Sequence, residues 1–166
     1  GTVGLGIVEV LLKGMSPLLS LKKVVVRDAH KQRELTVPDD MLTTDVNEVL
    51  DDPGVDIVVE AIGGLDPATS IVMAALRQGK HVVTANKALI AENGAPLFKE
   101  ARRCGRQIGY RGTFVGCYTL MHHLSLMLES NIIKRVSAIL NGTSNYVLST
   151  MEETGCTLEE ALRNAQ

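Results

Sequence analysis

The stretch DIVVEAIGGLDPATSIVMAALRQGKHVVTANK, Asp56 to Lys87, decides the fold of this 166-residue chain. Ile57, Val58, Val59, Ala61 and Ile62 form an apolar run interrupted by Glu60 alone and ended by Gly63 and Gly64. That pattern predicts a strand buried within a parallel sheet rather than a half-exposed one. Asp66 is placed to cap a helix whose first position suits Pro67. Ile71, Val72, Ala75 and Leu76 repeat on one face of that helix, and Gly79 supplies its stop. HVVTA, His81 to Ala85, then reads as a second strand. Strand, helix and strand within about thirty residues make a βαβ unit, with a right-handed crossover and a ligand crevice beyond the carboxyl ends of its strands. Gly63, Gly64, Thr84, Ala85, Asn86 and Lys87 all fall at that edge.

Composition narrows what the crevice can serve. Lys and Arg total 17 against 19 Asp and Glu, a formal charge of -2, which argues against nucleic acid held by a basic surface. Aromatic residues are 3% with no Trp, so base-stacking platforms are lacking too, and a small-molecule partner is expected. No apolar run approaches a membrane span and no signal-peptide pattern opens the sequence. The expectation is therefore a cytoplasmic protein without a membrane partner. Cys104, Cys117 and Cys156 are widely spaced and odd in number, which suits reduced packing residues in a cytosol. His122 and His123 are adjacent on an expected helix and point in different directions, while His30 and His81 stand alone, so no metal site is expected.

The chain opens with Gly1-Thr2-Val3-Gly4 running straight into an apolar helical pattern, Leu5 to Leu12. Gly1 and Gly4 have the spacing of the second and third glycines of a GxGxxG dinucleotide fingerprint, with the first glycine and its strand missing; an ordinary glycine-rich turn is the alternative. Lys22 to Asp28 reads as the next strand. Arg27, Lys31 and Arg33 cluster at its end beside Asp28. An arginine here favours NADP through bidentate contacts to the adenosine phosphate, the acid keeps NAD open, and a solvated charged loop is the bland reading. Leu35 to Pro53 is polar apart from one short helix, with Asp45 as its cap, Glu48 completing a capping box, and Val46, Val49 and Leu50 facing inward. Asn86 can cap a helix through Ile90, a second helix runs from Pro96 to Cys104, and a strand follows over Gln107 to Thr113. Beyond it come a helix over Tyr118 to Leu128, a strand over Lys134 to Leu140, a turn at Asn141 to Ser144 and a helix over Asn145 to Glu153. A final helix is capped by Thr157 with Glu160. Both ends read as truncated.

These residues resemble homoserine dehydrogenases over nearly the whole chain. GTVG at Gly1 to Gly4, VVEAIGG at Val58 to Gly64, GKHVVTANKALIA at Gly79 to Ala91 and ILNGTSNYVLSTMEE at Ile139 to Glu153 carry the resemblance. It implies NAD(P)-dependent interconversion of L-homoserine and L-aspartate 4-semialdehyde, in the branch leading to threonine, methionine and isoleucine, by an enzyme with nucleotide, dimerisation and substrate regions. By the same resemblance Gly1, Thr2, Val3 and Gly4 line the pyrophosphate. Arg27 and Lys31 hold the adenosine phosphate, Thr84 and Asn86 lie on the nicotinamide side, Gly63 and Gly64 bind the cofactor at the crevice edge, and Asn141, Gly142 and Thr143 open the substrate region. Lys87 matches the lysine where cofactor and substrate meet. Its chemistry suits that place independently, because an ammonium stabilises developing alkoxide charge and a desolvated lysine exchanges a proton. Three departures stand out: the family's later acids and second lysine have no counterpart here, Arg111 stands where members commonly carry a glutamate that helps hold a monovalent cation, and the first Rossmann strand is absent.

The expected architecture is α/β. A Rossmann-like doubly wound parallel sheet lacking its first strand spans residues 1–113, followed by the start of an α+β dimerisation and substrate domain over 114–166. The expected cofactor is NADP, with NAD as the alternative, and the expected complete assembly is a homodimer. Two rival functions remain at this level: a non-catalytic nucleotide-binding remnant, and a related Rossmann dehydrogenase of another small amino-acid substrate.

Overall fold

The computed structural model describes residues 1–29, 31, 33, 35–117, 122–124, 126–127, 133–137, 139 and 141–165, with 115–117 described by backbone alone. The chain divides into two compact units, Gly1–Val115 and Gly116–Gln166. The first contains, in chain order, α1 (Thr2–Leu12), β1 (Val24–Val25), β2 (Leu42–Thr43), α2 (Asn47–Leu50), β3 (Ile57–Glu60), α3 (Ala68–Arg77), β4 (His81–Thr84), α4 (Lys87–Arg103) and β5 (Ile108–Gly109). A 3-10 stretch, Arg111–Cys117, follows.

All strand pairings among the described residues are parallel. β3 lies beside β4 in a register that sets Ile57 opposite His81 and Glu60 opposite Thr84, and β4 lies beside β5. β1 pairs with β2 as a separate sheet. A doubly wound sheet ordered 3-2-1-4-5-6, with its first strand taken out, leaves these two pieces, β2–β1 and β3–β4–β5. The Rossmann-like α/β class read from the sequence is therefore the class observed. β2 was not anticipated, because two residues in a polar segment carry no alternation to read.

The core lies between the three-stranded sheet and the pair α3 and α4. Ala68, Val72, Ala75 and Leu76 of α3, Leu89 and Leu97 of α4 and Val82 of β4 are at most 1% exposed, and Val58 joins them. Each fully buried Val or Leu contributes roughly 1.5–3 kcal/mol. That packing explains one departure from expectation: α4 is a single helix through Pro96, not two. Leu89, Asn93, Leu97 and Ala101 recur every four residues on the face toward α3. Asn93 there donates from Nδ2 to the Thr69 hydroxyl at 3.0 Å. Burial along this stripe outweighs the roughly 3 kcal/mol that an interior proline costs.

Other local readings shift as well. β3 alternates rather than being buried on both faces: Val58 and Glu60 point into the core, while Ile57 and Val59, with Val83 of β4, are each about two-fifths exposed. Asp66 does not cap α3. Pro67 occupies the cap, and the Leu65 carbonyl accepts both the N–H and the hydroxyl of Thr69 at 2.8 Å. At α2, Asp45 accepts the N–H of Asn47 at 2.8 Å, but Glu48 turns to the Thr43 hydroxyl and Lys23 instead of closing a capping box. Lys80, 3% exposed, donates to the carbonyls of Asp52 and Val55 and ties the loop before β3 to the start of β4.

The second unit contains α5 (Gly142–Thr154) and α6 (Leu158–Asn164). Asn141 caps α5 by accepting the Ser144 N–H at 2.9 Å, so the expected turn at Asn141 to Ser144 is the helix's own first turn. The Thr157–Glu160 capping box forms as read. Residues 122–124 and 126–127 are helical, while the rest of the helix expected over Tyr118 to Leu128 lies outside the described residues. The strand expected over Lys134 to Leu140 is not found at 134–137, where Val136 is 53% exposed and no ladder partner pairs with it; Ala138 and Leu140 lie outside the described residues. Among the described residues no helix is long and apolar enough to cross a membrane.

Glu100 of α4 clasps Arg103 of its own helix and reaches Arg77 of α3, at 2.9 and 2.7 Å. The two guanidiniums, Arg103 foremost, hold its carboxyl down at about 2. Because the folded value is depressed, the clasp contributes fully above pH about 4.5 and is lost as pH falls toward 2. Acid titration followed by circular dichroism should show Glu100→Gln less stable than wild type above pH 4.5, with the gap closing toward pH 2. A gap independent of pH would contradict the assignment.

Candidate functional site

The register of β3 and β4 delivers two loops at one level. Glu60 ends β3, and the chain leaves through Ala61, Ile62, Gly63 and Gly64; Thr84 ends β4, and the chain leaves through Ala85 and Asn86 into α4. Gly63 and Gly64 have φ of 83° and 72°, a left-handed pair that side chains disfavour, and neither has any atom within 4 Å of where a Cβ would stand. The open space lets another molecule approach the backbone closely.

Asn86 joins the two loops. Its Nδ2 donates to the Gly64 carbonyl at 2.6 Å, and its Oδ1 accepts the Leu89 N–H at 3.1 Å, capping α4 as the sequence predicted. Its own N–H donates to the Thr84 hydroxyl oxygen at 2.9 Å. Lys87 is therefore the first residue of α4, solvent-exposed, beside the Gly64–Asn86 contact. Its ammonium and the positive end of the α4 dipole both favour an anionic group at this edge.

α1 meets the same edge. A Cβ on Gly4 would lie 3.8 Å from Cβ of Ala61, so the first turn of the helix rests on the residue after β3, the close-packing role expected of a third fingerprint glycine. Gly1 is the cap residue and brings no side-chain hydrogen bond, whereas α4, α5 and α6 are each capped by a side chain. The first-turn N–H groups of Thr2, Val3 and Gly4 lack that competitor and suit a pyrophosphate. These residues fit a dinucleotide.

The remaining predicted residues lie elsewhere. Arg27 and Lys31 are exposed after β1, which is not hydrogen-bonded to β3. Arg33, grouped with them in the sequence, is engaged within the loop: its guanidinium donates to the carbonyls of Asp28, Ala29 and Lys31. Gly142 and Thr143 line an open groove of about 420 Å³ in the second unit, with Tyr146, Asn164 and Ala165. Asn141, behind them, is used as the cap of α5. Sequence reasoning missed Glu60, whose signal was its place as the sole charge in an apolar run that ends at two glycines, Gly63 and Gly64.

Comparison with known proteins points to one family. A family profile described as the NAD-binding domain of homoserine dehydrogenase matches residues 1–111, and one described as homoserine dehydrogenase matches 120–166. The chain is 39% identical to the homoserine dehydrogenase of Bacillus subtilis, over 100% of this chain and 40% of that protein. The crystal structure of a homoserine dehydrogenase from Thiobacillus denitrificans superposes with a TM-score of 0.80 at 36% identity, covering 100% of this chain and 40% of that one. A hyperthermophilic archaeal homoserine dehydrogenase in complex with NADPH superposes with a TM-score of 0.59 at 28% identity, over 73% of this chain and 37% of that one. The chain thus spans about two-fifths of the length of the relatives it matches.

Asn86→Ala removes a helix cap and a buried inter-loop bond together, and should cost about 2 kcal/mol in urea denaturation. Asn86→Asp keeps the cap acceptor but sets a carboxylate oxygen against the Gly64 carbonyl, so it too should be less stable than the wild type. Equal stability of all three proteins would show that Asn86 does not link the loops.

Proposed function

The chain belongs to the homoserine dehydrogenase family, and from that premise we propose that it forms the nucleotide-binding part and the beginning of the substrate part of an enzyme interconverting L-homoserine and L-aspartate 4-semialdehyde with a nicotinamide cofactor. The observation that carries the reading is the convergence of the α1 N-terminus, the Gly63–Gly64 turn and the Thr84–Lys87 loop on one edge of a parallel sheet. The place is where doubly wound sheets bind their ligands. The reaction belongs to the branch leading to threonine, methionine and isoleucine, in the cytoplasm, and the complete enzyme works as a homodimer on a small-molecule substrate.

When bound, the nicotinamide supplies the acceptor or donor of the hydride. The chain's own residues do the rest. The N–H groups of Thr2, Val3 and Gly4, at the uncapped start of α1, hold the pyrophosphate. Gly63 and Gly64 leave room for the dinucleotide to reach the sheet edge, and Thr84 and Asn86 shape the wall on its nicotinamide side. Arg27 and Lys31 provide the positive charge that prefers NADP over NAD, Arg27 through a bidentate guanidinium. The Arg33 bonds to the carbonyls of Asp28, Ala29 and Lys31 support a fixed presentation of both side chains. Lys87 projects from the start of α4 with its ammonium exposed. Beside the hydroxyl of homoserine, or the carbonyl of the aldehyde, that ammonium stabilises the negative charge gathering on oxygen and exchanges the proton there. Asn141, Gly142 and Thr143 are assigned to the substrate, and the groove that Gly142 and Thr143 line supports that place.

Two experiments in the full-length protein test this reading. Lys87→Ala should lower turnover on the order of a hundredfold or more with the circular dichroism spectrum unchanged; near-normal turnover would remove Lys87 from the chemistry. The double variant Arg27→Ala, Lys31→Ala should weaken NADP binding about tenfold more than NAD binding, measured by titration of each cofactor. Equal losses would show that the two side chains do not read the adenosine phosphate.

A further inference from the structure

Glu60 is a buried carboxylate to which the reaction described above assigns no task. It is 2% exposed at the end of β3. One oxygen accepts the N–H of Ile62 at 2.7 Å and that of Gly63 at 3.2 Å; the other accepts the Thr84 hydroxyl at 2.5 Å. Among the described residues no Lys, Arg or His forms an ion pair with it, so neutral donors alone meet its charge. A buried charge held in this way is a poor device for stability, because an apolar side chain would fill the same core position without the loss of hydration.

The hydrogen bonds around Glu60 close into a ring. Thr84, 1% exposed, must direct its proton to Glu60, since a carboxylate only accepts, and that leaves its oxygen to accept the Asn86 N–H. Asn86 reaches across to the Gly64 carbonyl, and the backbone of the Gly63–Gly64 turn leads back to Glu60 through the Gly63 N–H. The ring spans both loops of the crevice and hands the orientation of Asn86 to Lys87 through the α4 cap. We infer that Glu60 is a positioning residue: through Thr84 it locks the Gly63–Gly64 turn to the Asn86–Lys87 corner, and thereby preforms the nicotinamide side of the crevice. The inference rests on the reading of this edge as the cofactor site. A preformed wall spares the ligand the cost of ordering two loops, so Glu60 acts on affinity without touching the ligand.

Amide hydrogen exchange of the cofactor-free, full-length protein separates this role from general stability. The variants are Glu60→Ala and the volume-conserving Glu60→Gln, which keeps the proposal testable if the alanine variant does not fold. In both, the amide of Asn86, which Glu60 does not contact, should exchange about tenfold faster, while the amides of Leu76 and Leu97 stay protected. Titration with NADPH should show affinity falling about tenfold in Glu60→Ala and less in Glu60→Gln, with kcat changing less than KM for the cofactor. Exchange that rises equally in core and loops, or NADPH affinity unchanged in both variants, would overturn the inference. Failure of the wild type to bind NADPH would remove the cofactor reading instead, and the exchange pattern would then decide whether Glu60 ties the loops.

Discussion

The parallel pairing of β3 with β4 is the constraint on which the rest depends. Four residue pairs, from Ile57 opposite His81 to Glu60 opposite Thr84, fix both the level at which the two strands end and the direction in which their loops leave. A shift of one residue would turn Glu60 and Val58 out of the core and break the contact with Thr84. The register is held from one side by α3 and α4, whose stripe of Ala, Val and Leu covers Val58 and Val82. Packing energy in the core is thereby converted into geometry at the edge.

That edge brings together chemistry from distant parts of the chain. The α1 N-terminus brings backbone N–H groups with no side-chain competitor, the glycine pair brings open backbone, and Asn86 brings a bond between loops and a cap for the helix that starts with Lys87. Each of the Asn86 hydrogen bonds is modest alone, worth about 1 kcal/mol. Sharing Asn86 makes them cooperative, since losing it loosens the turn, the corner and the helix start together. This is the arrangement expected of a site that must hold two loops still while a ligand enters between them.

Much of this was legible in the residues. Gly63, Gly64 and Gly79 mark the ends of the strand and helix around the central unit, and all three adopt positive φ. The apolar spacing from Val72 to Leu76 named the core face of α3 correctly. What the residues hid is mostly non-local. Pro96 read as the start of a second helix, yet a four-residue stripe packed against α3 carries one helix through it. Ile57 and Val59 read as buried because both faces of a parallel strand usually are, whereas here only the face toward α3 and α4 is covered. Glu60 read as an interruption; its meaning depends on Thr84, twenty-four residues later, and so on a register that no local pattern states. Arg33 was grouped with Arg27 and Lys31 because charge is visible in a sequence and the carbonyls that occupy its guanidinium are not.

The proposed place of the nicotinamide dinucleotide is the carboxyl edge of β3 and β4. Hydrogen exchange of the full-length protein with and without saturating NADPH, read segment by segment, tests it most directly. Bound cofactor should add protection at Gly1 to Gly4, Ile62 to Gly64 and Thr84 to Lys87 together, with the buried stripe of α3 and α4 unchanged. Protection confined to other segments, with these three exchanging as they do without cofactor, would contradict it.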